Sequence, residues 1–251
     1  MSDAQRKQAI ADYEQAYSAS DFEVIQARYR KRLLLELLDT LQPRRILEVG
    51  CGWETIACHW SGFEQLTIVE PGAQFAARAR HDTAAMAGVT VVEQFMEEAV
   101  PVCRQHDYDL ILLSSLLHEV PDPAAVLQAA KALCSAETLV HVNVPNALSM
   151  HRLLAVEMGL MADVYTPSAL QQSFRQPRIF DLAQLTALAS GVGFQVMAQG
   201  SFFVKPFTHG QMQQLVTQGM LTPQMLDGLW GLAKHFPEHG SEIYVNLKRE
   251  G

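Results

Sequence analysis

Two glycines and two acidic residues at a defined separation form the most informative pattern in this chain of 251 residues. Gly50 and Gly52 directly follow an apolar segment that ends at Val49, where a glycine turn lets the backbone approach a ligand closely. Glu70 ends the next apolar segment, 22 residues after Glu48. A carboxylate at that separation accepts hydrogen bonds from ribose hydroxyls. The pattern predicts a nucleoside-binding site; the glycines alone are also compatible with a tight structural turn.

Apolar segments that alternate with helical segments must position these residues at one edge of a sheet. Strands that are apolar throughout are buried on both faces, which predicts a doubly wound α/β fold with helices on both sides. We expect a Rossmann-like, mostly parallel sheet of seven strands, with predicted strands at 45–49, 66–70, 89–92, 109–113, 139–144, 194–204 and 242–247. Helices are predicted after the glycine turn and over 73–87, 123–133, 181–190 and much of 211–235.

Composition narrows the class of partner. The net charge of −8 argues against a nucleic-acid substrate, because recognition of the phosphate backbone relies on a basic surface. The one compact basic group is interpreted as the solvated face of a helix; it comprises Arg28, Arg30, Lys31 and Arg32. No apolar run reaches about 18 residues, and the N-terminus lacks a signal-peptide pattern. We therefore expect no membrane span and a cytoplasmic protein.

The motifs follow one another in an order that resembles a known family. The segments that carry the resemblance are 48–52, 69–71, 108–112, 116–123, 142–147 and 193–196. Together they resemble the ordered motifs of class I S-adenosylmethionine (SAM)-dependent methyltransferases, over roughly residues 40–200. Segments 145–154 and 204–206 are similar to the sugar and secondary-metabolite branch of that family. One departure is Glu54, which occupies the position of a frequent third glycine.

The resemblance implies SAM as the cofactor, with S-adenosylhomocysteine as its product. Glu70 would hold the ribose hydroxyls and Gln94 the adenine edge, while Phe95 or Met96 would pack on the adenine face or in the core. Tyr17 would lie near the sulfonium or pack against the domain. The residues assigned to cofactor binding follow the first four strands or lie in the N-terminal segment: Glu48, Gly50, Gly52, Glu70, Pro71, Gln94, Phe95, Met96, Ser114, Ser115 and Tyr17.

Methyl transfer to a hydroxyl also requires an aligned acceptor and a base. His118 and His151 are the candidate bases, because histidine titrates near neutral pH. The alternatives are a helix-entry role for His118 and a surface role for His151. Arg152 would clamp a carboxylate or phosphate of the acceptor. Glu119 and Asn146 complete the predicted acceptor-binding set.

We expect one domain over residues 1–251 that comprises an N-terminal helical lid (1–41), a SAM-binding core (42–145), an acceptor-pocket insertion (146–180) and a C-terminal part (181–251). The expected activity is methylation of a small-molecule hydroxyl, of the sugar or secondary-metabolite type, without a metal. The alternatives are N- or carboxyl-methylation of a small metabolite, an RNA or protein substrate, and SAM binding without catalysis. The apolar stretch 220–232 suggests a homodimer or ordinary buried packing.

Overall fold

A seven-stranded sheet organises the chain, whose computed structural model describes residues 6, 8, 10, 21–167 and 178–250. The strand order is β3-β2-β1-β4-β5-β7-β6, and β7 runs antiparallel to both of its neighbours. The predicted fold class is confirmed. The strands are β1 (Arg45–Val49), β2 (Gln65–Val69), β3 (Val89–Val92), β4 (Leu110–Ser114), β5 (Leu139–Pro145), β6 (Phe194–Phe202) and β7 (Glu242–Arg249).

Helices cover both faces of this sheet. They are α1 (Asp21–Leu41), α2 (Ala73–Asp82), α3 (Met96–Cys103), α4 (Pro123–Lys131), α5 (Met150–Glu157), α6 (Leu182–Val192), α7 (His209–Thr217) and α8 (Pro223–Gly231). None of the helices in the described ranges combines the length and apolar character needed to cross a membrane.

The prediction of a helix after the glycine turn is wrong. Only a single 3₁₀ turn, Ile56–Cys58, connects β1 to β2. Glu48, on β1, accepts hydrogen bonds from the Thr55 hydroxyl and the Ile56 amide, and these bonds hold the loop against the strand. The first N–H groups of the turn therefore donate within the protein, Ile56 to Glu48 and Ala57 to the Thr55 hydroxyl. This loop offers no long helix whose N-terminus could face a ligand.

Helix α1 takes the place of the missing helix on that face of the sheet. Strand side chains alternate between the two faces, so Ile46 and Leu112 lie on the opposite side from Leu47. Leu34 and Leu38 of α1 pack into the cluster that contains Ile46 and Leu112. The part of the predicted lid from residue 21 onwards therefore contributes to the core, and its role as a cover for the cofactor stays a prediction.

Candidate active site

The glycine turn adopts a backbone conformation that ordinary residues avoid. Gly50 and Gly52 have φ angles of +75° and +56°. A Cβ atom at Gly50 would lie 3.2 Å from the side chain of Leu116, whereas no heavy atom of the described residues lies within 4 Å of a Cβ placed at Gly52. The turn thus needs glycine for its backbone shape, and it borders open space at Gly52.

Glu70 joins this turn to the end of β2. Its Oε1 accepts a hydrogen bond from the Gly72 amide at 2.8 Å, and its Oε2 accepts one from the Gly52 amide at 3.3 Å. The side chain is only 4% exposed. A buried carboxylate beside the glycine turn is the arrangement predicted for a ribose-binding acid. Pro71 is the next residue in the sequence.

Glu48 has a structural role in the loop that follows β1. Its carboxylate is committed to Thr55 and Ile56, the latter at 3.0 Å, so it holds the loop in place. Burial raises the pKa of Glu48 to about 7, even though these hydrogen bonds favour the charged form. Contact between Glu48 and SAM stays a prediction.

The residues after β3 divide between surface and core. Gln94 is exposed, whereas Met96 is buried within the same core cluster as Leu47. The ring of Phe95 is 8% exposed, and the guanidinium carbon of Arg6 lies 3.8 Å from its centroid. Met96 is thus a core residue, which was one of the two alternatives for it. Phe95 is the better candidate for contact with adenine. Tyr17 lies outside the described residues.

A strained turn follows β4. Ser115, after Ser114 at the strand end, has a φ of +54°, a left-handed conformation that is uncommon for a residue with a side chain. Its amide donates a hydrogen bond to the carbonyl of Asn143 at 2.9 Å. Strain of this kind concentrates at functional sites, and here it sets the path of the chain into the predicted acceptor side.

His118 lies deep beyond that turn. Its side chain is 3% exposed, and its Nε2 lies 3.5 Å from Oε1 of Glu119. Its Nδ1 is buried without a hydrogen-bond partner among the described residues. Burial, followed by the positive charge of Arg30, lowers the pKa of His118 to about 3. The imidazole is therefore neutral at physiological pH and has a nitrogen available for a ligand.

The segment after β5 is held by side chains that were predicted to bind the acceptor. Asn146 donates to the carbonyls of Glu238 and Gly240, both at 2.8 Å. Arg152 donates to the carbonyls of Val164 and Thr166 at 2.7 and 2.6 Å. Both residues thus shape the acceptor-side loops, and direct contact with an acceptor stays a prediction for each.

His151 resembles His118 in its surroundings. Its Nδ1 is buried and has no hydrogen-bond partner in the described ranges. Burial lowers its pKa well below the usual value, and the nearby charges of Lys205, His209 and Arg152 lower it further. His151 thus buries one ring nitrogen while the residue as a whole is half-buried, and contact with an acceptor stays a prediction.

A buried polar cluster between α1 and β7 escaped the sequence analysis. Arg30 binds both carboxylate oxygens of Glu242, with distances of 2.7 to 3.0 Å, and Glu242 is fully buried. Gln26 and Asn143 also donate to Glu242, at 3.0 and 2.9 Å. We call these residues, together with Glu23, the α1–β7 cluster.

The solvated-face interpretation of the basic group is thus wrong for Arg30. The available signal was helical spacing: Phe22, Gln26 and Arg30 recur at intervals of four and share one face of α1. Lys31, in contrast, pairs at the surface with Glu54, the residue in the third glycine position.

Comparison with known proteins identifies the family of this chain. The profile of a methyltransferase domain family matches residues 22–199. The chain belongs to the methyltransferase domain family. No curated protein has a significantly similar sequence. The predicted enzyme class, a SAM-dependent methyltransferase, is confirmed.

Solved structures of methyltransferases share the fold at low sequence identity. A SAM-dependent methyltransferase from Thermotoga maritima is 16% identical, with a TM-score of 0.57 over 96% of this chain and 100% of that one. The N-methyltransferase NodS from Bradyrhizobium japonicum, bound to S-adenosylhomocysteine, is 10% identical, with a TM-score of 0.54 over 94% and 92%. A SAM-dependent methyltransferase from Mesorhizobium loti is 16% identical, with a TM-score of 0.52 over 85% and 96%.

The residues of this methyltransferase fit SAM at the edge of β1, β2 and β4. Gly52 borders open space beside the buried Glu70 carboxylate, which suits the ribose, and Ser115 stands on the side expected for the methionine part. SAM, when bound, supplies an electrophilic methyl group on a positively charged sulfur. The chain's own task is to hold that methyl group in line with the acceptor and to exclude water.

Two carboxylates that lie before and after β4 in the sequence have structural roles in this methyltransferase. Asp109 accepts hydrogen bonds from the amides of Arg44 and Arg45, and Asp122 caps α4 through the Ala125 amide. No group of three metal-ligating side chains occurs in the part of the chain that the structure describes. Methyl transfer without a metal stays a prediction, which a chelator and magnesium would test.

Proposed function

We propose that this methyltransferase methylates a hydroxyl oxygen of a small, sugar-like or secondary metabolite. The observation that carries the proposal is that His118 and His151, after β4 and β5, are neutral and each bury a ring nitrogen, Nδ1, that has no hydrogen-bond partner among the described residues. A neutral imidazole nitrogen accepts a hydrogen bond from a hydroxyl and so orients an oxygen lone pair towards the methyl group.

Charge and enclosure favour a small acceptor over a macromolecule. The net charge of −8 offers no basic surface for nucleic acid. The functional polar groups lie in the interior, since His118, Glu242 and Lys205 are each no more than 3% exposed. An acceptor must therefore enter the fold, and a small polyhydroxylated molecule could replace the hydrogen bonds that it loses to water.

A second candidate is N-methylation, because the structurally similar NodS is an N-methyltransferase. An amine whose lone pair is already free needs no base, so the imidazoles of His118 and His151 would serve only to orient it.

A homodimer through the apolar stretch 220–232 is a further proposal. Met220 and Met225 are 61% and 51% exposed, while Leu226 of the same stretch is buried.

An acceptor screen tests the proposal. Purified protein with radiolabelled SAM is offered matched sets of hydroxylated sugars and metabolites, their amino analogues and simple carboxylic acids. Methyl transfer confined to the hydroxyl set is expected, and His118→Phe should reduce it while leaving S-adenosylhomocysteine affinity unchanged. Transfer confined to amines would replace O- by N-methylation. Tight SAM binding without any transfer would favour a binding protein that has lost catalysis.

A further inference from the structure

Lys205 is a buried lysine that the proposed mechanism has not used. It follows β6 and is 1% exposed beneath α1, with its Nζ 6.0 Å from the ring centre of Phe22. The chain reaches it through Phe203, whose φ of +55° is a left-handed conformation that a bulky residue rarely adopts. The fold thus maintains a strained turn and a buried amine side by side, both of which oppose stability.

The hydrogen bonds of Lys205 leave one position of its nitrogen open. Nζ donates to Oε1 of Gln26 at 3.2 Å and lies 3.0 Å from Nδ1 of His209. The amide of Gln26 is oriented by its own donation to Glu242. Among the described residues no carboxylate lies within ion-pair distance of Lys205. A neutral amine here would donate twice and keep its lone pair free.

His209 links Lys205 to the outside. An amine N–H donates, so Nδ1 of His209 accepts, and Nε2 must carry the proton that it donates to Glu23 at 3.1 Å. Burial alone would raise the pKa of Glu23, but the hydrogen bond from His209 and the charge of Arg30 outweigh it and lower that pKa to about 2. Glu23 therefore stays ionised and orients the ring of His209, whose side chain is 24% exposed and so connects Lys205 to solvent.

Lys205 lies on the acceptor side of the sheet. Its charge acts on His151, which follows β5, and the Gln26 amide that it contacts is bound to Glu242 at the start of β7. Glu242 pairs in register with Pro145 at the carboxyl end of β5. Ligands of open α/β sheets bind at this edge, so the amine stands near the space that an acceptor must occupy.

We propose that Lys205 is the general base of methyl transfer and that His209, held by Glu23, carries the proton towards solvent. This inference rests on the proposed O-methylation. The acceptor oxygen forms a bond to the methyl carbon as the carbon–sulfur bond breaks and its electron pair returns to sulfur. The hydroxyl proton moves to the Lys205 lone pair, then from Nζ to Nδ1 of His209, and leaves the imidazolium for water.

Lys205 is a stronger base than the two candidate histidines, His118 and His151. Burial lowers the pKa of its ammonium to about 8, and the negative charges of Glu23 and Glu242 limit that decrease. The pKa of His118 is about 3, so that imidazole is too weak a base for an alcohol. The groups that face Lys205 are Glu23, Gln26, His151, His209 and Glu242. Activity should rise with pH through about 8, as the ammonium loses its proton.

Two substitutions separate a base from a charge. In Lys205→Arg the positive charge and the donors remain but the side chain cannot accept a proton, and in Lys205→Met the charge is lost as well. Both are expected to lower kcat at least 100-fold without changing S-adenosylhomocysteine affinity, which also reports correct folding. Lys234→Met, at an exposed lysine, is the matched control. Substantial activity in Lys205→Arg would overturn the proposal and indicate charge recognition instead.

Two further readouts separate a base from a structural residue. Small primary amines should restore activity to Lys205→Ala, with a rate that depends on the pKa of the amine; absence of rescue in a variant that binds S-adenosylhomocysteine normally would count against the base. Nuclear magnetic resonance of ¹³Cε-labelled lysine needs no acceptor, so it distinguishes failure of this inference from failure of O-methylation. Titration of Lys205 near pH 8 is expected, whereas titration above pH 10 would overturn the proposal.

Discussion

The two halves of the candidate site differ in how far apart their partners lie along the chain. On the cofactor half, Glu70 binds amides 2 and 18 residues away, and Glu48 binds a hydroxyl 7 residues away. On the acceptor half, Glu242 binds side chains 99 to 216 residues away. The cofactor half is therefore a local structure, whereas the acceptor half exists only once the whole sheet and α1 have come together.

This difference has energetic consequences. A local loop can lose one hydrogen bond and still fold, because the chain keeps its partners near each other. The α1–β7 cluster holds charges in the interior, where removal of one partner leaves the other unpaired at high cost. We therefore expect substitutions on the acceptor half to affect stability, and those on the cofactor half to affect SAM binding.

The largest effect is expected from Glu242→Gln. Arg30, whose side chain is 16% exposed, would lose the carboxylate that binds it in two places, and breaking a buried ion pair typically costs about 3–5 kcal/mol. Urea unfolding followed by circular dichroism measures this change. Glu137→Gln removes an exposed carboxylate that pairs with Lys248 and should leave stability unchanged. A loss in Glu242→Gln no larger than in this control would show that Arg30 is solvated.

The next effect concerns SAM itself. Glu70→Ala removes the carboxylate that is predicted to accept hydrogen bonds from two ribose hydroxyls. Bonds to a charged group contribute about 1.5–3 kcal/mol each, so affinity should fall at least about 100-fold. Calorimetric titration with SAM and S-adenosylhomocysteine measures it. Glu54→Gln, in the same loop but paired at the surface with Lys31, serves as control. Equal affinity in Glu70→Ala and wild type would place the ribose elsewhere.

The backbone shape of the cofactor half and the burial of Glu70 could be predicted from the sequence because the signals for them are local. A glycine needed for a positive φ and an acid at the end of the next strand can be recognised from spacing alone, as Gly50 and Glu70 show. Apolar strands likewise predict the sheet, since burial on both faces leaves a continuous pattern. The predicted helix after Gly52 failed because the loop is held by Glu48, a contact that no periodicity reports.

The acceptor half could not be predicted in the same way. Arg30 looks like any helix-surface arginine until Glu242 is placed beside it by an antiparallel strand from the other end of the chain. Lys205 lies in segment 204–206, which carried only a family resemblance, and His209 carried no pattern, because their common partner face belongs to α1. Only the spacing of polar residues on the buried face of α1 hinted that a polar cluster lies beneath it.

A pH experiment tests whether Glu48 belongs to the loop rather than to the cofactor. Burial raises the pKa of Glu48 to about 7, whereas the ordinary pKa of a glutamate, 4.5, applies in the unfolded chain. The folded state therefore binds the proton more tightly, and stability contributed by this group declines as pH rises between these values. Between pH 5 and pH 8 the decline should be about 2 kcal/mol.

Glu48→Gln should remove that decline, so urea unfolding of the variant and the wild type at both pH values measures the effect. Glu64→Gln, at an exposed carboxylate that pairs with Arg44, should preserve the wild-type dependence. An unchanged pH dependence in Glu48→Gln would indicate that Glu48 is solvated and free to meet the cofactor.

The smallest effect is expected where the N-terminal segment touches the cofactor half. Arg6 covers the ring of Phe95 and forms an ion pair with Glu97 at 3.0 Å. A cation over an aromatic face contributes about 0.5–1 kcal/mol at an exposed position, so Arg6→Ala should weaken S-adenosylhomocysteine binding about two- to five-fold if Phe95 packs on adenine.

Arg80→Ala is the matched control. It removes a positive charge that pairs with Glu93, which follows β3 as Phe95 does, but it leaves the aromatic ring untouched. Titration of both variants at low and high salt separates the two causes, because a long-range electrostatic effect is screened by salt and a ring contact is not. Equal, salt-sensitive losses in the two variants would mean that Arg6 acts only as a charge. A loss of S-adenosylhomocysteine affinity that is confined to Arg6→Ala would show that the N-terminal segment contributes to cofactor binding through its contact with Phe95.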